Sequence, residues 1–269
     1  MLKLNSVASS LTFCQKTNTI IKRGEEMTTV IYAHRGASGK APENTMAAFR
    51  IALSEEAEGI ETDVQLTKDG VPVLIHDERL RRTTGTGGYV KDVTYQQIKA
   101  LNANAGFPTE VNTPVPSLEE FLEWAKDKPL HLNLELKNNK ITYRHLEDIV
   151  LKQLDAYNLL DRTVISSFNP LSLKKLKQIN PDIETALLTG RRFANPLAAA
   201  KAAGADALHI KTTLLHLKLV KACHKEGIKL RVYTPNRKRR LVHCMLLGCD
   251  GLITDYPDKA VACRKILKL

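Results

Sequence analysis

The chain has 269 residues, 43% of them apolar, and a formal net charge of +11. No apolar run approaches the roughly 18 residues a helix needs to span a bilayer, so no helix is expected to cross a membrane. Forty Lys and Arg against 29 Asp and Glu favour an anionic partner: a phosphate-bearing substrate, a nucleic acid or a membrane surface. Much of the excess is late, ending in the run Arg237-Lys238-Arg239-Arg240. No aromatic residues interleave with that run, so a nucleic-acid stacking surface is not supported. Five scattered cysteines (Cys14, Cys223, Cys244, Cys249, Cys263) contain no C-x-x-C pair, and read as reduced thiols of a cytoplasmic protein.

Residues 1–26 contain only a short apolar stretch broken by Ser and Thr, too weak for a secretory signal. Arg23-Gly24-Glu25-Glu26 can be encoded by purine-rich codons resembling a ribosome-binding site, directly before Met27. The natural start is therefore expected at Met27, with 1–26 a poorly structured, translated leader and 27–269 one domain. From Val30 onward, eight strand-like runs are expected at Val30–His34, Gly59–Leu66, His131–Leu136, Thr163–Ser167, Glu184–Leu188, Ala207–Ile210, Lys229–Thr234 and Gly251–Thr254. Helical segments follow at Thr45–Ala57, Ser117–Lys126, Tyr143–Tyr157, Pro170–Gln178, Pro196–Ala203, Leu214–Glu226, Arg237–Leu247 and Asp258–Leu267. Asn44 or Thr45 can cap the first and Gly227 can stop the sixth. This alternation argues for an α/β fold with a parallel sheet, and eight repeats argue for a closed TIM-type (β/α)8 barrel. A ninth run, Val71–His76, follows the turn signal Lys68-Asp69-Gly70 and should fold back beside the second strand. Residues 77–113 break the rhythm as an irregular insertion with one short helix near Tyr95–Leu101; loops of that length are usually functional.

Most chemistry-bearing residues fall at strand ends, where such a barrel keeps its active groups. Glu61 and Asp63 are two apart on one strand and share a face. Facing a barrel interior they repel, and either flanking Lys and Arg or a divalent cation must neutralise them; oxygen ligands suit Mg²⁺ or Ca²⁺. Glu135 ends the next barrel strand and can add a third carboxylate; Lys137, two residues on, can face the same pocket and stabilise the phosphoryl transition state, or serve as a counter-ion to the acids. His34 ends the first strand and His76 the hairpin strand, suited to acid/base work because imidazole titrates near neutrality. Arg35 can grip a phosphate oxygen through two donors. Glu43 and Asn44, in the first strand–helix loop, are expected to orient Arg35 or His34, and Asp77 to orient His76. His209 is a weaker candidate for reaching the pocket.

Six motifs therefore lie in order: His34-Arg35-Gly36, Pro42-Glu43-Asn44-Thr45, Glu61-Thr62-Asp63, His76-Asp77, Glu135-Leu136-Lys137 and Tyr233-Thr234-Pro235-Asn236. With Arg82-Thr83-Thr84-Gly85, Pro116-Ser117-Leu118-Glu119-Glu120, Ser166-Ser167-Phe168 and Asp250-Gly251-Leu252-Ile253-Thr254-Asp255, they resemble the glycerophosphodiester phosphodiesterases, nearest the small bacterial cytoplasmic type, from about Val30 to the C-terminus. The resemblance implies one Mg²⁺ or Ca²⁺ on Glu61, Asp63 and Glu135, and His34 and His76 as the acid/base pair, with the assignment of acid and base open. In one version of the family's mechanism the substrate's own glycerol hydroxyl attacks, giving a cyclic phosphate that water opens. It further implies that the insertion sits over the barrel mouth, and that deacylated phospholipids such as glycerophosphocholine and glycerophosphoethanolamine are cleaved to sn-glycerol 3-phosphate and an alcohol. Tyr233 stands where the family commonly has tryptophan, Pro235 where it has valine and Asn102 where it has aspartate; these bear on headgroup preference. The alternatives are a lysophospholipase D on the same scaffold, which needs an apolar groove at the mouth, and a non-catalytic barrel, which should lack a metal acid or a histidine. No obligate protein partner is evident.

Overall fold

Each of the nine expected runs becomes a strand in the computed structural model, which describes residues 29–104, 106–107, 112–190 and 195–269. They are β1 (Val30–His34), β2 (Gly59–Leu66), β3 (Pro72–Leu74), β4 (His131–Leu136), β5 (Thr163–Ser167), β6 (Glu184–Thr189), β7 (Ala207–Lys211), β8 (Lys229–Tyr233) and β9 (Gly251–Thr254). All but β3 pair in parallel, and pairing of β1 with both β2 and β9 closes an eight-stranded barrel. The reading of residues 1–26 as a leader lies outside the described residues.

The two faces of each strand divide the work. Ile60 and Val64 on β2, and Leu132, Leu134 and Leu136 on β4, join the core beneath the helices. The alternate residues, Glu61 and Asp63, Asn133 and Glu135, turn into the barrel, because strand side chains alternate. The outer helices are α1 (Met46–Ser54), α4 (Leu118–Ala125), α5 (Leu146–Ala156), α6 (Pro170–Ile179), α7 (Pro196–Ala202), α8 (Leu217–Lys225), α9 (Lys238–Leu246) and α10 (Pro257–Leu267); α2 (Arg81–Thr84) and α3 (Tyr95–Lys99) belong to the insertion. Thr45 rather than Asn44 caps α1, its side chain accepting from the Ala48 amide. Helix α8 starts three residues later than expected because His216 caps it, Nδ1 accepting from the Leu219 amide at 3.1 Å. It stops as expected before Gly227, whose φ of +69° is the left-handed turn that favours glycine there.

The hairpin strand β3 runs antiparallel to β2, Val64 opposite Leu74 and Leu66 opposite Pro72. It is shorter than expected, so His76 lies two residues beyond it. The Ile75 amide still donates to the Asp63 carbonyl at 3.1 Å, which keeps His76 beside the acids. The insertion is more regular than its composition implied. Its described residues form two short helices and a 3-10 turn (Val90–Asp92), and pack Leu80, Val90, Ile98 and Ala103 on Val73, Ile75 and Val115 as a small second core. Helix α2 escapes periodicity because four residues cannot show a helical repeat.

Candidate active site

A cavity of about 290 Å³ opens at the C-terminal ends of the strands, lined by His34, Arg35, Glu61, His76, Asn133 and Glu135 on one side and by Phe168, Leu188, Lys211 and Tyr233 on the other. Its acidic floor is built by the first loop. Arg35 adopts a left-handed φ of +56°, and its amide donates to Glu61 Oε2 at 2.9 Å. Gly36 follows with φ +79°, and a Cβ there would stand 2.7 Å from the Ala48 backbone, so the loop can lie against α1 only with glycine at that position. Glu43 then accepts from Arg35 at 3.0 Å. Asn44 does not hold Arg35 or His34 with its side chain, as the loop position implied. Instead its Nδ2 donates to Asp63 Oδ2 at 2.9 Å and its Oδ1 accepts from the Thr62 hydroxyl at 2.7 Å.

Glu61, Asp63 and Glu135 are all buried, and one oxygen from each lies within 4.8 Å of the others. Asp63 Oδ1 is buried without a hydrogen-bond partner. Burial alone would raise the Asp63 pKa, but Arg35, with Nε 3.3 Å away, and Lys137 hold it well below the carboxylate range. Burial and the charges of Asp63 and Glu135 push Glu61 well above that range. Burial lifts Glu135 to about 7 although Lys137 Nζ lies 2.7 Å from its Oε1. Lys137 also stands 3.5 Å from Asp63 Oδ1. Two cations thus leave three buried acids partly protonated near neutrality. An all-oxygen donor set with one orphaned oxygen is a fit for a hard divalent cation.

Each histidine is held from behind by a carboxylate. His34 Nδ1 lies 2.6 Å from Asp255 Oδ1. Asp255 accepts also from Ser38 at 3.0 Å and from the Asn236 side chain. His76 Nδ1 lies 2.6 Å from Asp77 Oδ1, and burial moves the His76 pKa below its ordinary value. A carboxylate only accepts, so in neutral imidazole both Nδ1 atoms carry the proton and both Nε2 atoms are free acceptors. Asp77 in turn takes a hydrogen bond from Arg82 Nε at 2.6 Å, and Arg82 reaches both oxygens of Glu43 at 2.7 and 2.8 Å. A continuous chain therefore runs His76–Asp77–Arg82–Glu43–Arg35–Asp63. Arg82, Asn236 and Asp255 stand within the sequence motifs, but their spacing alone gives them no role.

Arg35, Lys137 and His209 differ in how far they reach the cavity. Arg35 lines the cavity but is engaged by Glu43 and Asp63 rather than standing free as a phosphate fork. Lys137 is buried behind the acids as their counter-ion and does not line the cavity. His209 is fully buried below it, with Nε2 3.2 Å from Arg231 Nη1, in a layer where Arg231 also pairs with Glu184. Tyr233 lines the wall as expected, its hydroxyl buried and unpartnered.

Because Arg82 is half-exposed, its ion pairs add little stability, but they fix Asp77 and Glu43, which hold His76 and Arg35 at the cavity. Arg82→Ala is expected to lower kcat by roughly tenfold to a hundredfold while shifting Tm by no more than about 2 °C. Steady-state kinetics beside a melting curve check this; an unchanged kcat would remove Arg82 from the positioning chain.

The sequence profile described as the glycerophosphoryl diester phosphodiesterase family matches residues 34–259. A glycerophosphodiester phosphodiesterase of Bacillus altitudinis is 40% identical over 89% of this chain and its own full length. One from Caldanaerobacter subterraneus is 39% identical over 87% of this chain and 97% of its own. Among solved structures, an Oleispira antarctica phosphodiesterase in complex with the product sn-glycerol-3-phosphate superposes with a TM-score of 0.80 at 28% identity, covering 87% of this chain and 96% of that one. Match and coverage together make the chain a member of the glycerophosphoryl diester phosphodiesterase family.

Proposed function

We propose that this barrel hydrolyses glycerophosphodiesters to sn-glycerol 3-phosphate and a free alcohol, with His34 and His76 as its proton-transfer pair and Glu61, Asp63 and Glu135 as the seat of one Mg²⁺ or Ca²⁺. The observation that carries the reading is the convergence on one cavity of two carboxylate-backed imidazoles and three buried acids within 4.8 Å. Cleavage requires a proton to leave the attacking oxygen and another to reach the departing alkoxide. Each Nε2 is free for one of these transfers, and Asp255 and Asp77 stabilise the imidazolium formed when a proton is taken. The bound cation would supply a Lewis-acid contact to a phosphoryl oxygen. Lys137 keeps the carboxylate cluster from accumulating charge, and Arg35 ties the first loop to Asp63 while presenting its edge to the phosphate. Glu43, Asn44 and Asp77 hold Arg35, Asp63 and His76 in turn.

Glycerophosphocholine and glycerophosphoethanolamine are the substrates of this reading, and residues 27–269 its one catalytic domain. The four described cysteines, buried as free thiols, support a reducing, cytoplasmic compartment. Among the described residues no helix is long and apolar enough to cross a membrane. The apolar wall of Phe168, Leu188 and Ile253 gives a second reading, cleavage of substrates that keep one acyl chain. Release of glycerol 3-phosphate from glycerophosphocholine with Mg²⁺, Ca²⁺ or EDTA tests the first reading. Metal-dependent release is expected. Faster cleavage of lysophosphatidylcholine would favour the second, and no release from either would refute both.

A further inference from the structure

The barrel wall from β5 to β8 keeps its acids at one end. Between Thr163 and Leu247 the sequence has four acids, Asp182, Glu184, Asp206 and Glu226. The first three sit where the chain enters β6 and β7, and Glu226 caps the C-terminus of α8, so all four lie at the end opposite the cavity. Glu184, Asp206 and Glu226 are already paired with Lys or Arg there. At the mouth the same arc carries Lys211, Lys218, Arg237, Lys238, Arg239 and Arg240, all exposed and outside any ion pair among the described residues.

Helix stability does not explain that arrangement. The first turns of α6, α7, α8 and α9 contain no acid, although those of α4, α5 and α10 do. Cations in the first turn oppose the helix dipole, and α9 begins with three of them. Apolar side chains stand on the same arc. Phe168, Leu171 and Leu217 are 36%, 71% and 38% exposed, after β5, in the first turn of α6 and at the start of α8. The other exposed large apolar residues among the described ones, Ile179, Ile266 and Leu269, are at the C-terminal ends of α6 and α10, away from the mouth.

We propose that this arc docks the protein on anionic lipid membrane, with the cavity facing the bilayer. Lipid phosphates neutralise the unpaired cations, and Leu171, Leu217 and Phe168 enter the boundary between headgroups and acyl chains. A nucleic acid would satisfy the cations but leave the two leucines in water, so lipid is the partner that uses both features. The docking rests on this surface and not on the phosphodiesterase reading; if both hold, the cavity meets phosphodiesters at the membrane that yields them.

The full chain is sedimented with vesicles of phosphatidylcholine alone, or mixed equally with phosphatidylglycerol, at low and physiological salt. Retention is expected on the anionic vesicles only, falling with salt. Combined reversal of Arg237, Lys238, Arg239 and Arg240 to Glu puts acids where the dipole favours them, so this variant folds, and its hydrolysis of soluble glycerophosphocholine without lipid serves as the check. Loss of the four cations alone is expected to lower vesicle affinity about fivefold each, several hundredfold in all, and the acids put in their place lower it further. Leu171→Ser is expected to weaken binding severalfold at physiological salt. Equal retention on both lipids, no retention of the unaltered protein, or undiminished retention of the reversed variant would overturn the docking; so would retention on RNA with none on vesicles, which would reassign the arc to nucleic acid. Docking that persists in a protein with no hydrolysis would leave this inference standing and refute the phosphodiesterase reading alone.

Discussion

Replacing His34 with alanine is expected to lower release of sn-glycerol 3-phosphate by three to four orders of magnitude, at the upper end of what one acid/base group contributes. The expectation follows from how the imidazole is held. Its Nδ1 is 2.6 Å from Asp255, which Ser38 and Asn236 fix in turn. Burial would raise the Asp255 pKa, yet the hydrogen bond from His34 brings it below the ordinary value, so a charged acceptor faces Nδ1 across the working pH range. Asp255→Asn separates orientation from charge. The amide can present its NH₂ to Nδ1, which moves the ring proton to Nε2 and blocks it as an acceptor. The loss in Asp255→Asn should therefore exceed about a hundredfold, with a melting temperature close to that of the unaltered protein. The same fall is expected for His76→Ala, and the double variant should be little worse than either single one, because the two transfers serve one reaction. His34→Ala activity within tenfold of the unaltered enzyme would exclude His34 from proton transfer.

The barrel was legible because its strands are short apolar runs separated by longer helical ones, and all eight parallel strands fall within about a residue of the expected limits. Glu61 and Asp63 share a face by strand alternation alone, and Glu135 joins them because β2 and β4 place it opposite Asp63. Asp255 was not legible as the partner of His34 because 221 residues separate them. The available signal was an acid one residue beyond the last strand. Once closure puts β9 beside β1, that acid faces the end of β1, where His34 lies. Arg82 was missed for another reason: it lies in a four-residue helix with no pattern to read, and its role exists only in joining Asp77 to Glu43, which is 39 positions away. Arg35 and Lys137 were read as substrate-facing cations from their neighbours in sequence. The packing shows that three buried acids claim them first. Residue type and spacing find the groups that carry charge; which charge answers which depends on closure of the barrel.

Those claims make the carboxylate cluster the place where pH acts most strongly on the protein. Without a cation, Glu135 titrates at about 7 against an ordinary 4.5, and burial beside Asp63 and Glu135 displaces Glu61 in the same direction. For these two groups the folded state binds more protons than the unfolded chain, so stability falls as pH rises from about 4.5 to 7. Asp63, displaced downward, contributes stability that is lost only at strongly acid pH. A metal-free sample in EDTA should therefore melt at a lower temperature at about pH 7.5 than at about pH 5.5. A divalent cation removes that penalty by taking the place of the protons, so adding Mg²⁺ or Ca²⁺ should raise Tm more at the higher pH. Its affinity should increase by up to about tenfold per pH unit for each proton displaced. Calorimetric titrations in two buffers of different ionisation enthalpy count those protons directly. In Asp63→Asn, Arg35 and Lys137 lose the only carboxylate they share and the cluster loses its one fully ionised member. Cation binding and turnover should both drop by at least a thousandfold, on the scale of electrostatic stabilisation in a water-poor site. Proton release near zero or an affinity flat with pH would show that the acids are already ionised before the cation arrives, and an Asp63→Asn variant that still binds the cation and turns over would remove Asp63 from the cation's seat.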